Sequence, residues 1–343
     1  MKRILFITNS LTGGGAERAV NLVANEMVAA GWSTALIPIN AGDKDLVELN
    51  CEVFSLERPW RGGIIQTIRA FLKFMKVVKL WNPQILIITC SLPELFACLS
   101  FGRHQIISVE EAKDPWGNHL LLGKVVRKIL ELRKTLWVGA SEHLTVWPNG
   151  SQPNIVIKNS VVDIALTQLS AEGESENPCL IFVGRLSPEK RPDWFLKICE
   201  GCHVSGHIFG SGLMQDALIR ESSRQSNLLE FFGYVRDPWK LTSSSNLLIV
   251  PSATEGDGLI IIEALKAGLP ILVSDIPELR HFQLPETHYC KNISDFISKI
   301  QSCNNDFSKF RVEETLRKSI VSSRNPKVIG QKWQDYLLPL LRD

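Results

Sequence analysis

Asn246-Leu247-Leu248-Ile249-Val250-Pro251-Ser252-Ala253-Thr254-Glu255-Gly256-Asp257-Gly258-Leu259-Ile260-Ile261-Ile262-Glu263-Ala264-Leu265 is the stretch from which the fold of this 343-residue chain is read. Its apolar opening, 246–250, predicts a strand of a parallel sheet, buried on both faces. Small residues and two glycines follow, then an apolar run that stops at Gly268-Leu269-Pro270, the punctuation of a short helix ending. Pro270 to Ser274 predicts the next strand at once. The unit is βαβ, and its helix starts at the carboxyl edge of the sheet. The first turn of such a helix presents unpaired N–H groups and the positive end of a dipole, which suits phosphate. Gly256 and Gly258 admit a ligand close to the backbone. Glu255, just before the helix, and Glu263, on its second turn, can face one crevice, where carboxylates accept paired hydrogen bonds from vicinal hydroxyls. Phosphate donors flanked by two hydroxyl acceptors describe a nucleotide-sugar site. A purely structural glycine turn with a solvated Glu263 is the plainer alternative. Asp257 has to point away from a bound phosphate or be offset by a cation.

The same rhythm extends in both directions. Residues 4–8 predict a first strand, and Asn9 to Arg18, with Gly13-Gly14-Gly15, leads into a helix from Ala19 to Ala30 closed by Gly31. A strand follows at 34–39. Arg18 stands where G-x-G-x-x-G needs its third glycine, which argues against an NAD site; close approach of a ligand to Gly14 or Gly15 stays open. Further strands are expected at 84–89, 105–109, 136–140 and 154–159, with helices over 61–80 and 123–134. Residues 164–178 contain Ser, Glu and Gly in abundance and read as a linker. Beyond it, strands recur at 179–183, 207–209 and 228–232, with a helix at 193–200. Glycine turns follow two of these strands, Gly184-Arg185-Leu186-Ser187-Pro188-Glu189-Lys190 and Gly210-Ser211-Gly212. A last helix, Lys327 to Leu341, is placed to cross back over the first half. Two consecutive β-α series predict two Rossmann-like, doubly wound parallel-sheet domains facing a cleft, 1–163 and 179–326.

Bulk properties set the class. With 45% hydrophobic and 22% charged residues the chain reads as a soluble globular protein of two domains. No apolar run approaches the roughly 20 residues that span a bilayer, and the apolar part of the N-terminus is too short for a signal peptide. Eight cysteines lie scattered, as in a reducing compartment, and a cytoplasmic location is expected. Cys199-x-x-Cys202 and Asp43-Lys44-Asp45 match metal motifs formally, but the first has no second pair at zinc-finger spacing and the second reads as solvated surface in a polar loop after the second strand, so no metal is expected. Residues 1–160 carry 18 Lys+Arg against 13 Asp+Glu, a charge of +5, and the remainder carries −3, too little to claim nucleic acid. The helices at 61–80 and 124–134 mix basic and apolar side chains. That composition suits peripheral contact with an anionic membrane face, or ordinary packing with Lys and Arg at the rim.

These motifs together resemble the retaining glycosyltransferases of family 4, which have the GT-B architecture. Glu255 and Glu263 match that family's two glutamates seven residues apart, and Gly184 to Lys190 its Gly-Arg-Leu…Lys donor-phosphate motif. Gly14-Gly15-Ala16-Glu17-Arg18 is similar to the N-terminal turn of its bacterial polysaccharide branch. Asn159 to Asp163 resembles the Asn-x-x-Asp of the domain junction, and Phe232 to Asp237 a further family stretch. The resemblance implies that Arg185 and Lys190 neutralise the donor phosphates, that Glu255 holds hydroxyls of the transferred sugar, and that Glu263 holds the ribose. Gly14, Gly15, Gly210, Gly256, Asp257, Gly258 and Leu259 would line the donor. It further implies no metal or other cofactor, a nucleotide diphosphate sugar (UDP favoured) as donor, and a saccharide or lipid-linked glycan as acceptor. One departure stands out: Glu110-Glu111 occupies the strand end where many members have a histidine, and either carboxylate could serve the acceptor or sugar side or be an ordinary loop residue. A GT-B sugar-nucleotide epimerase and a non-catalytic nucleotide-sugar binder are the alternatives.

Overall fold

The computed structural model describes residues 2–11, 14–42, 48–161, 178–225 and 228–341. Gly13, the Asp43-Lys44-Asp45 motif, Asp163 and all but the last residue of the expected linker lie outside the described residues. The chain divides into two compact units: unit 1 is Met1–Asp163 with Arg324–Asp343, and unit 2 is Ile164–Ser323.

Unit 1 runs β1 (Arg3–Thr8), α1 (Gly15–Ala29), β2 (Ser33–Pro38), β3 (Glu52–Val53), α2 (Ile64–Trp81), β4 (Ile85–Thr89), α3 (Ser91–Cys98), β5 (Gln105–Glu110), α4 (Leu120–Leu132), β6 (Leu136–Gly139) and β7 (Ile155–Val156). The strands form one sheet in the order β3-β2-β1-β4-β5-β6-β7, and every pair is parallel. The central strands are apolar along their length because helices cover both faces. Alternate residues point to opposite sides. Leu5, Ile7 and Leu86 pack with Phe74 of α2 and Leu130 of α4, whereas Ile4, Phe6 and Ile87 pack with Val23 and Met27 of α1.

Unit 2 runs β8 (Leu180–Val183), α5 (Pro192–Cys202), β9 (Gly206–Phe209), α6 (Gln215–Gln225), β10 (Leu229–Gly233), β11 (Leu247–Val250), α7 (Leu259–Ala267), β12 (Ile271–Ser274), α8 (Pro277–Arg280), β13 (Tyr289–Cys290), α9 (Ile293–Gln301) and α10 (Glu314–Ser322). Its sheet is again parallel, in the order β10-β9-β8-β11-β12-β13. Both sheets are therefore doubly wound, as the sequence leads one to expect. The winding reverses between β1 and β4 in unit 1 and between β8 and β11 in unit 2. Open α/β sheets bind their ligands at the carboxyl ends of the strands at such a reversal.

The last helix, α11 (Pro326–Leu337), belongs to unit 1. Ile329, Trp333 and Leu337 join Val20, Val23 and Met27 of α1 in one core. Gly330 is needed at this crossing, since a Cβ there would lie 2.5 Å from that of Glu26. Two boundaries differ from expectation in ways that matter. The helix α1 begins at Gly15 rather than Ala19, so Gly14 and Gly15 stand at its N-terminus. The strand β5 continues to Glu110, which places that carboxylate inside the sheet layer. Among the described residues no helix is long and apolar enough to cross a membrane.

Candidate functional site

At the reversal of unit 2, the turns after β8 and β11 meet. Arg185 is exposed at the end of β8, and Pro188 to Lys190 form a single 3₁₀ turn ahead of α5. The Lys190 Nζ lies 2.7 Å from Glu255 Oε2, and the Ser252 hydroxyl donates to Glu255 Oε1 at 2.7 Å. The Ala253 N–H donates to the Glu189 carbonyl at 2.8 Å, which ties the two turns together through the backbone. Burial pushes the Glu189 carboxyl up, but the Ser187 hydroxyl, its backbone bond and the charges of Arg185 and Lys190 together hold it below its ordinary value. The cations expected to face a donor phosphate are thus both felt at one carboxylate of this turn.

The start of α7 is built for close approach. Gly258 has φ +66° and caps the helix, and a Cβ on it would meet Phe282 at 2.9 Å and Leu279 at 3.1 Å. Gly258→Ala is therefore expected to destabilise unit 2 by about 2 kcal/mol or more, from left-handed strain plus overpacking. A urea midpoint equal to that of the parent would show that the turn relaxes freely. Asp257 is buried beside this glycine with its Oδ1 3.9 Å from His281 Nε2, an imidazole available to offset its charge when protonated. Leu259 opens α7, Gly256 is partly exposed, and Glu263 is buried on the second turn. Gly210 is also required by packing. A Cβ there would sit 1.9 Å from the Gly184 carbonyl oxygen, so its bareness lets the ends of β8 and β9 run side by side. Ser252, Glu189 and Glu278, which accepts from Thr254 Oγ1 at 3.3 Å, are members of this cluster that sequence reading passed over. The signal for Ser252 was its spacing, three residues before Glu255.

In unit 1 the two adjacent glutamates are in opposite situations. Glu110, which the sequence leaves open as a sugar-side or a loop carboxylate, is neither exposed nor in a loop. It is fully buried, and both of its oxygens accept from Arg127 Nη1 and Nη2. The same guanidinium donates from Nε and Nη2 to Glu94, at 3.0 and 2.6 Å, and Glu94 also accepts from Ser108 Oγ and Trp116 Nε1. Arg127 lies 4.8 Å over the Trp137 ring and donates to the Trp147 carbonyl at 2.7 Å. This buried Glu94–Arg127–Glu110 triad joins α3, α4 and β5. Glu111, one residue on, leaves the sheet and accepts from Asn159 Nδ2 at 2.8 Å. It lies at the carboxyl edge of the sheet with Cys90 and Glu17: burial, then the Glu17 and Glu111 charges, push the Cys90 thiol up. His104 is at the opposite end of β5, paired with Ser100 Oγ at 3.0 Å, and burial pulls it down to about 4.

Residues 177–306, which hold both turns of unit 2, match the family described as Glycosyl transferases group 1. That stretch is similar to the domains of group 1 glycosyltransferases. The whole chain has the GT-B fold. Anabaena HepE in complex with UDP and glucose superposes with a TM-score of 0.79 at 17% identity, over 99% of this chain and 100% of that one. The pneumococcal O-GlcNAc transferase GtfA in complex with UDP and GlcNAc does so with a TM-score of 0.73 at 12% identity, over 100% of each chain. Among curated relatives, a poly(ribitol-phosphate) alpha-N-acetylglucosaminyltransferase of Staphylococcus aureus is 28% identical over 168 residues, 44% of this chain and 33% of its own. An uncharacterized glycosyltransferase of Haemophilus influenzae is 24% identical over 301 residues, 79% of this chain and 80% of its own. The match to the first of these thus spans only a third of that relative's length. The matched residues include Arg185, Lys190, Glu255 and Glu263, and the Glu94–Arg127–Glu110 triad lies outside them.

Proposed function

We propose that this chain is a retaining, metal-independent hexosyltransferase of glycosyltransferase family 4. In this reading it moves a hexose or N-acetylhexosamine from a UDP-sugar to a glycan or lipid-linked saccharide acceptor in cell-surface polysaccharide biosynthesis. The Lys190–Glu255 pair beside the N-terminus of α7, at the reversal of the unit 2 sheet, carries this reading. Cleaving a glycosyl phosphate bond puts charge on the departing diphosphate, and fixed cations and helix N–H groups act most strongly where charge develops. Arg185, Lys190 and the first turn of α7 supply them, which is why no divalent ion is invoked. When Lys190 takes a phosphate oxygen, Glu255 accepts from hydroxyls of the sugar and Glu263 from the ribose. Glu111 is the acceptor-side carboxylate. The UDP complexes of HepE and GtfA favour uracil over other bases.

A thermal-shift screen of UDP, GDP, ADP and their sugars, with and without EDTA, tests this. Ligand at 100 times its dissociation constant adds roughly 2.7 kcal/mol of stability. A shift with the uridine series, unchanged by EDTA, is the expected result. No shift with any nucleotide removes the donor site, and a shift abolished by EDTA removes metal independence. Release of UDP only when a saccharide acceptor is present separates transfer from epimerisation, which needs no acceptor, and from mere binding.

A further inference from the structure

The helices α2, α3 and α4 form one layer on unit 1's sheet, since Phe74 of α2, Phe96 of α3 and Leu130 of α4 enter the same core. Phe71 and Phe74 pack on Phe96, so α3 lies between the other two. With their inward stripes spent on that core, α2 and α4 carry a second apolar stripe that faces out. On α2 it consists of Ile64 (80% exposed), Ile65, Ile68 and Leu72; on α4, of Leu121 (81%), Val125 and Leu132 (75%). Leu121, Val125, Lys128 and Leu132 recur at i, i+4, i+7 and i+11, a single helical face. A helix that is apolar on both its sides belongs in a protein interior or at a lipid boundary, and exposed apolar patches of this kind mark contact surfaces.

Charge selects between the possible occupants. The same outward face of α2 holds the exposed Arg69, Lys76 and Lys79, the exposed Arg61 precedes the helix, and α4 adds Lys124. No acidic residue occurs between Glu57 and Glu94 in the sequence, and Glu94 is turned inward onto Arg127. Glu131 is the acidic side chain of α4, and it sits 3.0 Å from Lys128. Apolar side chains ringed by cations and almost without carboxylates fit a surface that is greasy below and negative at its face.

We propose that the outward faces of α2 and α4 dock unit 1 on an anionic lipid bilayer, with Ile65 and Leu121 entering the acyl boundary and Arg69 and Lys76 among the headgroups. Basic residues near such a surface and apolar side chains below it add their affinities. The patch involves none of the donor-site residues, so it stands or falls apart from the transferase reading.

Flotation of the full chain with vesicles tests it, using phosphatidylglycerol-rich and pure phosphatidylcholine vesicles at low and high salt. Binding is expected to the anionic vesicles, about tenfold weaker to the zwitterionic ones, and weakened by salt. Ile65→Gln/Leu121→Gln and Arg69→Glu/Lys76→Glu are each expected to lose about tenfold or more in binding, with circular dichroism and the nucleotide-induced thermal shift unchanged. Failure to bind either vesicle overturns the proposal, as does parental binding by both variants. It is equally overturned if the chain is a dimer in solution that Ile65→Gln/Leu121→Gln converts to monomer, which would assign the patch to a second copy.

Discussion

Replacing Arg127 by Met is expected to destabilise unit 1 by about 3–5 kcal/mol, because it leaves the Glu94 and Glu110 carboxylates buried without their shared cation. For a unit of this size that lowers the melting temperature by on the order of 10 °C. Desolvation by burial pushes the Glu110 carboxyl up to about 7, against the opposing pull of Arg127, and Glu94 adds to the rise. A carboxyl whose value is raised on folding gives its full stability below its ordinary range and loses it as pH climbs through the raised value. From this group, unit 1 should resist urea better at pH 5 than at pH 8. Glu110→Gln keeps an acceptor for Arg127 and should flatten that difference. An Arg127→Met protein within about 1 kcal/mol of the parent, or an undiminished pH slope in the Glu110→Gln variant, would show that the triad does not hold unit 1 together.

At the donor site, Lys190→Ala and Glu255→Gln are each expected to lower turnover tenfold or more, about 1.4 kcal/mol of transition-state stabilisation or above. The two should differ in what else they change. In the proposed reading Lys190→Ala removes a phosphate contact, and it should shrink the thermal shift given by UDP itself. In the same reading Glu255→Gln acts on the sugar, so it should leave that shift in place while weakening the response to the UDP-sugar. Because Lys190→Ala strips a buried carboxylate of its ion pair, rates are to be compared below the variant's own melting temperature. Near-parental turnover in both folded variants would mean that chemistry, if any, happens elsewhere.

The parts of this molecule that sequence displays are those where a local rule and the tertiary structure agree. The β11 run, the glycine break and α7 announce themselves because a doubly buried strand must be apolar and a left-handed cap needs Gly258. The doubly wound order follows from repeating that unit. Gly14 and Gly15 look like loop, with α1 beginning after them; in the protein they open the helix, with Glu17 in its first turn. The helix α10 buries none of its residues, and α6 buries few, so neither shows the apolar periodicity by which helices are recognised. The triad is invisible for another reason. Glu94, Glu110 and Arg127 lie 16 and 17 residues apart on three elements, and no periodicity links them. Only once β5 is seen to run one residue further does Glu110 part company with Glu111.

The placement of α11 has a consequence for how the chain comes together during synthesis. Unit 2 is one unbroken stretch, whereas unit 1 is finished by residues that follow it. A chain that stops at Ser323 lacks Ile329, Trp333 and Leu337, and leaves Val20, Val23 and Met27 without their cover. Domains generally fold in the order in which they leave the ribosome. Here the half that emerges first is the half that closes last, so its apolar flank stays open while all of unit 2 is being made.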